Sequence, residues 1–456
     1  MKWIALLIAA FAVVPLSAWL RRNPAEALKV WMLVGFLPFV VYHLHFYMAF
    51  ISWSTWGGYA KGMEITVIDV FVLALYLSLP GRTQATPFWI SMVLYFVAAL
   101  LSVIPAQFPM AALFYPWQLA RMFLVYATVA RGVSSDPRIA SALTKGMAVA
   151  LIMEACIVTV QRVGFGMLQT PGSFLHQNML GVLTHFVVLP AFALYLAGRR
   201  DWFTVAVIIS GIVVDLMTVS RATIGLAALG FAIVFALSAL RRWTPQKGRV
   251  LLVGVVLSAV LVPAALISLS ERSSNNNETA SDNERTAYSA AAAMMFEDHP
   301  FGVGANHFTL VANLGGYYSA AGVAAFDLAR YQNVHNSYRL VACETGFLGL
   351  IALVLVLLRP LIAAFRCGWR NSGDIRGDWL LGLGVSLLIV YLHCFYEWIV
   401  VDYQFQYVLA SQIGLVAGLA LQLRYWRAPG SRLAGMRSTK YQAGAFGVDA
   451  AWGQKH

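Results

Sequence analysis

The sequence predicts a polytopic, all-α membrane protein. Apolar residues make up 60% of the 456-residue chain and charged residues only 11%, and the mean hydropathy is +0.71. A soluble domain typically has about 25% charged and 45–50% apolar residues, so an ordinary cytosolic enzyme, a coiled coil and a disordered chain are excluded. A membrane-spanning helix needs about 20 mostly apolar residues. The apolar content therefore predicts twelve or thirteen spans and one modest extramembrane insert.

Thirteen apolar segments are candidate spans, and short connections separate most of them. The first segment is short and follows Lys2, so it resembles a cleaved signal peptide, but the Arg21–Arg22 pair directly after it favours a retained anchor. Both counts, twelve and thirteen, stay open for this reason. The predicted spans are residues 3–20, 28–50, 64–80, 87–105, 113–130, 139–160, 179–198, 202–219, 223–240, 249–269, 340–358, 378–400 and 404–423.

Basic residues fall at every second connection, as at Arg199–Arg200 and again over 241–249. The positive-inside rule places these connections in the cytoplasm. The net charge of +12 is therefore a topology signal and a contact with anionic headgroups, not a nucleic-acid footprint. Parity puts the C-terminus inside, and the N-terminus outside if 3–20 spans. The opposite, periplasmic side then receives the segments 51–63, 106–112, 162–178, 219–222 and 270–339.

This topology divides the chain into four parts. Residues 1–269 carry the first ten spans, 270–339 form a periplasmic loop, 340–427 carry the last three spans, and 428–456 form a flexible cytoplasmic tail. The four cysteines are scattered without a C-x-x-C pair, so neither a disulfide framework nor a zinc site is implied. At least two of them are expected to be buried helix residues: Cys156 and Cys394.

Three arginines are candidates for binding an oxyanion. Arg121 lies within the fifth span, Arg162 closes the sixth and Arg221 opens the ninth, and the topology brings all three towards one face of the membrane. A charge in or at the end of a span is costly and marks a functional site by default. Arginine stays charged and grips oxyanions in bidentate fashion, which suits a diphosphate. The alternative is that these side chains, above all Arg162, snorkel to headgroups.

The insert is predicted to contain a helix led by Arg285. Residues 281–284 fit the capping-box pattern, 285–298 read as a helix, and Pro300 stops it. Arg285 would then lie in the first turn, where the positive end of the helix dipole disfavours a cation. That placement suggests an anionic partner, and pairing with an acidic residue of the same segment is the alternative.

A His-Asn pair precedes the eleventh span. Asn336 or Ser337 is expected to cap that helix, which leaves His335 just before it at the outer surface. Neutral imidazole can accept a proton from a hydroxyl near neutral pH, so His335 is a candidate general base. A satisfied polar histidine is the alternative. Other histidines are equally available by type: His176, His299 and His307.

Taken together, these residues resemble the signature region of the bacterial O-antigen ligase and O-antigen polymerase superfamily. The resemblance rests on the helix led by Arg285, on the stretch 299–304 (HPFGVG), and on His335-Asn336 followed after nine residues by 346–349 (GFLG). The spacing of the His-Asn pair to the glycines is the most specific piece.

Two earlier elements add to the resemblance: the stretch 172–179 (GSFLHQNM) before the seventh span and 220–222 (SRA) at the ninth. The resemblance covers about residues 60–425. It includes the topology, which is about a dozen spans with one large periplasmic loop late in the chain, and it implies a GT-C-like glycosyltransferase architecture.

The resemblance implies transfer of a glycan from an undecaprenyl-diphosphate carrier at the periplasmic face of the bacterial inner membrane. The acceptor is a sugar hydroxyl of lipid A–core in the ligase branch, another lipid-linked repeat in the polymerase branch, and protein in a third branch. The ligase is favoured here. His335 would be the general base, and Arg221 and Arg285 would stabilise the leaving diphosphate. Direct displacement would invert the anomeric centre without a metal or another cofactor.

Membrane lipids are further expected contacts, and nucleic acid is not. Glu397 and Asp402, near the outer end of the twelfth span, are expected to pair with arginine. The rival class is a transporter of a lipid or solute, which would show paired halves with broken helices and would not need the long capped loop. The residues expected to bind substrate are Arg121, Arg162, His176, Asn178, Tyr288, His299, Asn336 and Tyr338.

Overall fold

The computed structural model describes residues 2–40, 47–81, 86–273 and 277–424, and within them the chain is mostly helical. Each of the thirteen predicted spans overlaps a helix of this described part. The predicted tail, 428–456, lies outside the described residues. The helices before the insert are α1 (Lys2–Arg22), α2 (Pro24–Phe36), α3 (Val67–Ser78), α4 (Trp89–Leu101), α5 (Pro109–Ser135), α6 (Pro137–Thr159), α7 (Gln177–Leu196), α8 (Trp202–Met217), α9 (Arg221–Arg241) and α10 (Pro245–Ser273).

The insert contains one long helix and three short ones, as expected for the loop between the tenth and eleventh spans. The three last long helices follow it. The remaining helices are α11 (Asn277–Asp298), α12 (Phe308–Leu314), α13 (Tyr317–Ala320), α14 (Asp327–Arg330), α15 (Ser337–Arg370), α16 (Ile375–His393) and α17 (Tyr403–Gln422). Short turns of 3-10 or π helix lie at Leu37–Phe39, Val160–Gly164 and Ile399–Val401.

Six helices of the described part are long and apolar enough to cross a membrane: α6 with its π-helical continuation, α7, α9, α15, α16 and α17. The apolar helices α3, α4 and α8 are shorter. The predicted class, a polytopic all-α membrane protein, is confirmed. The count of twelve or thirteen spans and the side that each loop faces stay predictions.

The second predicted span, 28–50, is wrong in its second half. Pro38 follows the end of α2, and the chain then forms a hairpin in which β1 (Tyr47–Ser52) pairs antiparallel with β2 (Gly62–Thr66). Proline cannot continue a helix without losing a hydrogen bond. A short apolar run is compatible with a strand as well as with a buried helix, and periodicity alone does not separate the two.

The eleventh predicted span, 340–358, is too short. Helix α15 continues to Arg370, so Arg359 and Arg366 lie on the helix rather than in a connection. Near its start the helix is interrupted at Gly346, whose φ is +69°. The end of the helix was predicted too early because the basic residues were assigned to a connection. Long cationic side chains are tolerated on a helix where it leaves the membrane.

Segments that were predicted to share one side of the membrane meet at one end of the helices. The Trp56 indole donates to the Asn306 carbonyl at 3.1 Å, and the Phe108 amide donates to His307 Nε2 at 3.1 Å. At the opposite end, Arg241 and Asp378 form an ion pair of 2.8 Å. The grouping of the loops thus agrees with the alternation of basic and neutral connections.

Helix α17 lies at the centre of the fold, with nearly all its residues buried, and it packs against α5, α7, α15 and α16. It also supplies a hydrogen bond that the neighbouring helix α7 lacks. Pro190 of α7 lacks the N–H that would bond to the Phe186 carbonyl, and Gln412 of α17 donates to that carbonyl at 2.9 Å. Backbone groups in a bilayer need such internal partners.

All four cysteines are free thiols. Cys394 is buried, as predicted, directly after the end of α16. Cys156 is exposed, so the prediction for it is wrong. An apolar thiol is as well accommodated on a lipid-facing surface as in a core, which is why hydrophobicity alone did not separate the two.

Candidate active site

Glu397, in the turn that follows α16, is the centre of the candidate site. Its Oε1 accepts a hydrogen bond from Arg285 Nη2 at 3.1 Å, and its Oε2 lies 3.1 Å from His335 Nδ1. Asn178 Nδ2 also donates to Oε1. The Glu397 side chain is only 7% exposed, whereas His335 and Arg285 are 20% and 35% exposed. Three distant parts of the chain thus converge on one buried carboxylate, and we call these four residues the Glu397 cluster.

The surroundings of Glu397 favour the ionised form of its carboxyl. Burial alone would raise its pKa, but the hydrogen bond and charge of His335, with the charges of Arg285 and His176, outweigh burial and lower the pKa to about 2. An ionised carboxylate only accepts hydrogen bonds, so Nδ1 of His335 carries the proton of that contact. The other ring nitrogen, Nε2, is then the one that can accept a proton.

The start of α15 places His335. Asn336 is the N-cap, as one of the two predicted alternatives had it, and its Oδ1 accepts from the amides of Tyr338 and Arg339 at 3.0 Å each. Ser337 donates through its hydroxyl to the Glu397 carbonyl at 2.7 Å. The helix start and the turn that carries Glu397 are therefore held together, which fixes the imidazole beside the carboxylate.

Asn336, Tyr338 and Tyr288 were expected to bind substrate, and the structure gives each a structural contact. Asn336 Nδ2 donates to the Phe395 carbonyl at 3.2 Å, and the Tyr338 hydroxyl donates to the Tyr391 carbonyl at 2.8 Å. Tyr288 is buried, and its ring centre lies 6.3 Å from that of His335. These side chains border the cluster, and contact with substrate stays a prediction for them.

Arg285 reaches the cluster from the interior of its helix, not from its first turn. Helix α11 begins at Asn277, four residues before the predicted cap at Ser281, so Arg285 is the ninth residue and the dipole argument does not apply to it. Its ion pair in the described part of the chain is with Glu397. The error came from the capping-box pattern, which is local and does not exclude an earlier start.

The glycine motifs hold α11 and α15 together. The amides of Val303 and Gly304 donate to the carbonyls of Cys343 and Glu344 at 2.9 and 3.0 Å. A Cβ on Gly346 would lie 2.4 Å from the Phe301 carbonyl carbon, which leaves no room for a side chain. The stretches 299–304 and 346–349, which carry the resemblance, therefore lie in contact. Their glycines allow the two backbones to approach closely at the point where α15 is interrupted.

A buried acid that the sequence analysis did not single out anchors the loop before α7. Glu154, fully buried on α6, accepts from the Ser173 amide at 2.9 Å, and Gln161 bonds both backbone groups of Gly172. His176 then caps α7 by accepting from the Asn178 amide at 3.2 Å. The sequence did contain a signal for Glu154, because a carboxylate within a predicted membrane span is costly and marks a constrained site.

Arg221 lies at the same end of the fold as the Glu397 cluster. Ser220 caps α9 by accepting from the Thr223 amide, which makes Arg221 the first helical residue, and it is exposed. Thr223 packs against Gly181 of α7, three residues after Asn178. Val219 directly before the cap has φ +48°, a costly value for a β-branched residue. That Arg221 and Arg285 meet on one ligand stays a prediction.

Arg121 belongs to a different group of side chains. It is buried, forms a 2.8 Å ion pair with Asp69 of α3, and donates to the Tyr407 hydroxyl of α17. Its charge is thus neutralised within the protein. The expectation that Arg121 joins the other arginines in binding a diphosphate has no support from these contacts.

Neither Arg162 nor His299 is among the side chains that bond to Glu397 in the described part of the chain. Arg162 is half-buried and donates to two carbonyls of its own loop, those of Met167 and Leu168, at 3.1 and 2.6 Å. His299 is exposed at the end of α11, fourteen residues after Arg285, which is about 21 Å along a helix at 1.5 Å per residue.

Of the two acids near the twelfth span, Glu397 pairs with arginine as expected, whereas Asp402 instead caps α17 through the Gln404 and Phe405 amides.

Residues 185–354 match the family profile described as O-antigen ligase. Over these residues the chain is similar to the O-antigen ligase family, which supports the resemblance to the O-antigen ligase and polymerase superfamily. The matched region runs from α7 into α15 and contains Arg221, Arg285 and His335, but ends before Glu397. No curated protein matches the chain significantly. This match, with the apolar helices, supports a multi-pass membrane protein of glycosyltransferase type in the context of lipid-linked glycans.

Proposed function

We propose that the protein is an O-antigen ligase that transfers a glycan from undecaprenyl diphosphate to a sugar hydroxyl of lipid A–core. The observation that carries the proposal is the shared carboxylate of Glu397, which holds a partly exposed imidazole and a partly exposed guanidinium side by side. A transfer from an activated diphosphate donor needs one group that accepts a proton and others that stabilise the departing charge. His335 and Arg285 are groups of these two kinds.

The donor diphosphate is bound by arginine. Arg285 uses one nitrogen, Nη2, for Glu397, and about a third of its side chain is exposed. Arg221 stands at the N-terminus of α9, where backbone N–H groups and the helix dipole also favour an anion. Preorganised donors of this kind are worth about 3–4 kcal/mol each to a developing oxyanion. The scheme assigns the diphosphate to these two guanidiniums and to the backbone amides at the start of α9, and it includes no metal ion.

His335 acts as the general base. Its Nδ1–H is held by Glu397, and its Nε2 takes the proton of the acceptor hydroxyl as that oxygen attacks the anomeric carbon. The bond from the anomeric carbon to the diphosphate oxygen breaks, and its electron pair stays on the diphosphate. Attack opposite to the leaving group inverts the anomeric centre.

The cluster is proposed to face the periplasm of the inner membrane. The loops that meet at this end are the neutral ones, and the basic connections lie at the other end. Single cysteines in a background without Cys156 provide the check. Asn283→Cys should react with an impermeant reagent from outside intact cells, and Trp243→Cys should not. The reverse pattern would place the cluster in the cytoplasm.

Reconstituted transfer tests the activity itself. Purified protein in lipid nanodiscs would receive an undecaprenyl-diphosphate glycan and either lipid A–core or a second lipid-linked glycan as acceptor. Ligase activity predicts product with lipid A–core only, with an inverted linkage and no loss in a metal chelator. Chain extension of the lipid-linked glycan would instead identify a polymerase of the same superfamily, and transfer to neither acceptor would contradict the proposal.

A further inference from the structure

A groove lies far from the Glu397 cluster, at the opposite end of α7. It is open along one side and is walled by α6, α7, α8 and one residue of α16, Trp379. The lining includes Leu194, sixteen residues after Asn178, which is about 24 Å along the helix. A donor held at the cluster does not account for this groove.

The walls of the groove are apolar and its rim is cationic. Phe186, Pro190 and Phe203 are among the apolar lining residues, and Lys145 and Arg199 are the two cations. Lys145 is half-buried, and within the described part of the chain it has no acidic partner. Arg199 uses its Nε for Asp201 at 3.0 Å. An apolar groove whose lining includes two positive side chains fits a molecule with a hydrocarbon chain and an anionic head.

We propose that this groove binds one anionic phospholipid of the leaflet on the basic side of the protein. An acyl chain would lie along α7 between α6 and α8, and the headgroup phosphate would contact Lys145 and Arg199. Basic pockets between membrane helices on the cytoplasmic side bind anionic headgroups in this way. The proposal does not depend on the transfer reaction.

Lipid retention tests this site in the full-length protein. Protein in mild detergent would be titrated with phosphatidylglycerol or phosphatidylcholine, and bound lipid would be counted by native mass spectrometry alongside the melting temperature. We expect one phosphatidylglycerol to be retained and to raise the melting temperature. Phosphatidylcholine and inorganic phosphate should have no such effect. Equal retention of both lipids, or stabilisation by phosphate alone, would overturn the proposal.

Three variants separate the groove from general surface charge. Lys145→Ala should weaken phosphatidylglycerol binding about fivefold, as expected for one basic residue near a headgroup, and Lys145→Arg should keep it. Ala191→Phe should fill the groove and abolish retention without a change in charge. The matched control is Arg200→Ala, which removes an adjacent exposed cation that does not line the groove. Equal losses in Lys145→Ala and Arg200→Ala, or full retention in Ala191→Phe, would contradict the site.

Discussion

Two clusters in this protein combine an arginine, an acid and a ring-bearing side chain, and they differ in what they leave open. In the first, Arg121 pairs with Asp69, and the Tyr407 hydroxyl donates to Asp69 Oδ1 at 2.8 Å. Both charged side chains are 10% exposed or less. In the second, the Glu397 cluster, the carboxylate and Asn178 are buried, whereas Arg285 and His335 keep part of their surface free.

The difference shows how burial separates a structural charge from a functional one. A buried ion pair whose groups are satisfied by each other has no capacity left for a ligand, and it must be complete because an unpaired buried charge is strongly destabilising. A cluster whose imidazole and guanidinium stay partly exposed keeps donors and acceptors available. The type of residue, which is similar in both clusters, does not make this distinction.

The largest effect on transfer is expected for His335→Ala. Removal of a general base costs about 10²–10⁴ in rate, whereas expression and donor binding should stay near the wild-type level because the diphosphate contacts are untouched. The rate of transfer in nanodiscs and the retention of labelled donor measure the two properties separately. His299→Ala is the matched histidine, since it lies at the far end of α11, and should keep its activity. More than about a tenth of the activity left in His335→Ala would remove His335 as the base.

Arg285→Ala and Arg221→Ala come next, with an expected loss of about 10²–10³, the size seen when one oxyanion donor is removed. Lysine keeps the charge but loses the planar fork. Arg285→Lys should therefore be impaired but measurable, and milder than Arg221→Lys because α11 belongs to the insert while Arg221 is fixed at a helix start. Arg339→Ala is the matched control, an exposed arginine that bonds the Ser289 carbonyl instead of Glu397. Full activity in both alanine variants would make these arginines surface contacts.

Sequence alone predicted the class of the fold and most helix positions, and it named Asn336 as one of two possible caps for the helix that follows His335. Periodicity and charge alternation report on local structure and on the membrane, and both are strong here. The partners of Arg121 and Arg285 were not predictable, because Asp69 and Glu397 are separated from them by 52 and 112 residues. The pairing depends on which helices pack, and no local pattern encodes that. Glu397 had a usable signal, as an acid at the end of a span, but its bond to His335 required the fold.

Glu397→Gln should have a smaller effect on rate and a distinct effect on pH dependence. Partners that orient a histidine typically contribute about 10–100-fold in metal sites, and we expect a loss of that order. Because the folded-state pKa is about 2, below the ordinary 4.5, the stability from this carboxylate is present above pH 4.5 and is lost only as the pH falls towards 2. Its charge is therefore constant between pH 5 and 8, where imidazole titrates.

The pH–rate profile of Glu397→Gln distinguishes an orienting role from a merely structural one. A neutral amide no longer stabilises an imidazolium, so the acidic limb of the profile should move to lower pH relative to the wild type. A structural defect would lower the rate at every pH without moving the limb. An unchanged limb would show that Glu397 does not act through His335.

The smallest effect on transfer is expected in the closed cluster, where the consequence should appear in stability instead. Asp69→Asn leaves the buried Arg121 guanidinium without its opposite charge, and Arg121→Gln does the same to the buried Asp69 carboxylate. Each variant should therefore destabilise the protein by about 3–5 kcal/mol. The double variant removes both charges, and asparagine at 69 can still cap α3 as Asp69 does by accepting from the Thr66 amide. It should therefore be more stable than either single variant.

Melting temperature in detergent measures the stability of the three variants, and the transfer rate per folded molecule should be that of the wild type in all three. If Arg121→Gln kept its melting temperature but lost transfer more than about tenfold, a loss of the kind expected for a missing oxyanion donor, Arg121 would belong to donor binding and burial would not separate the two clusters.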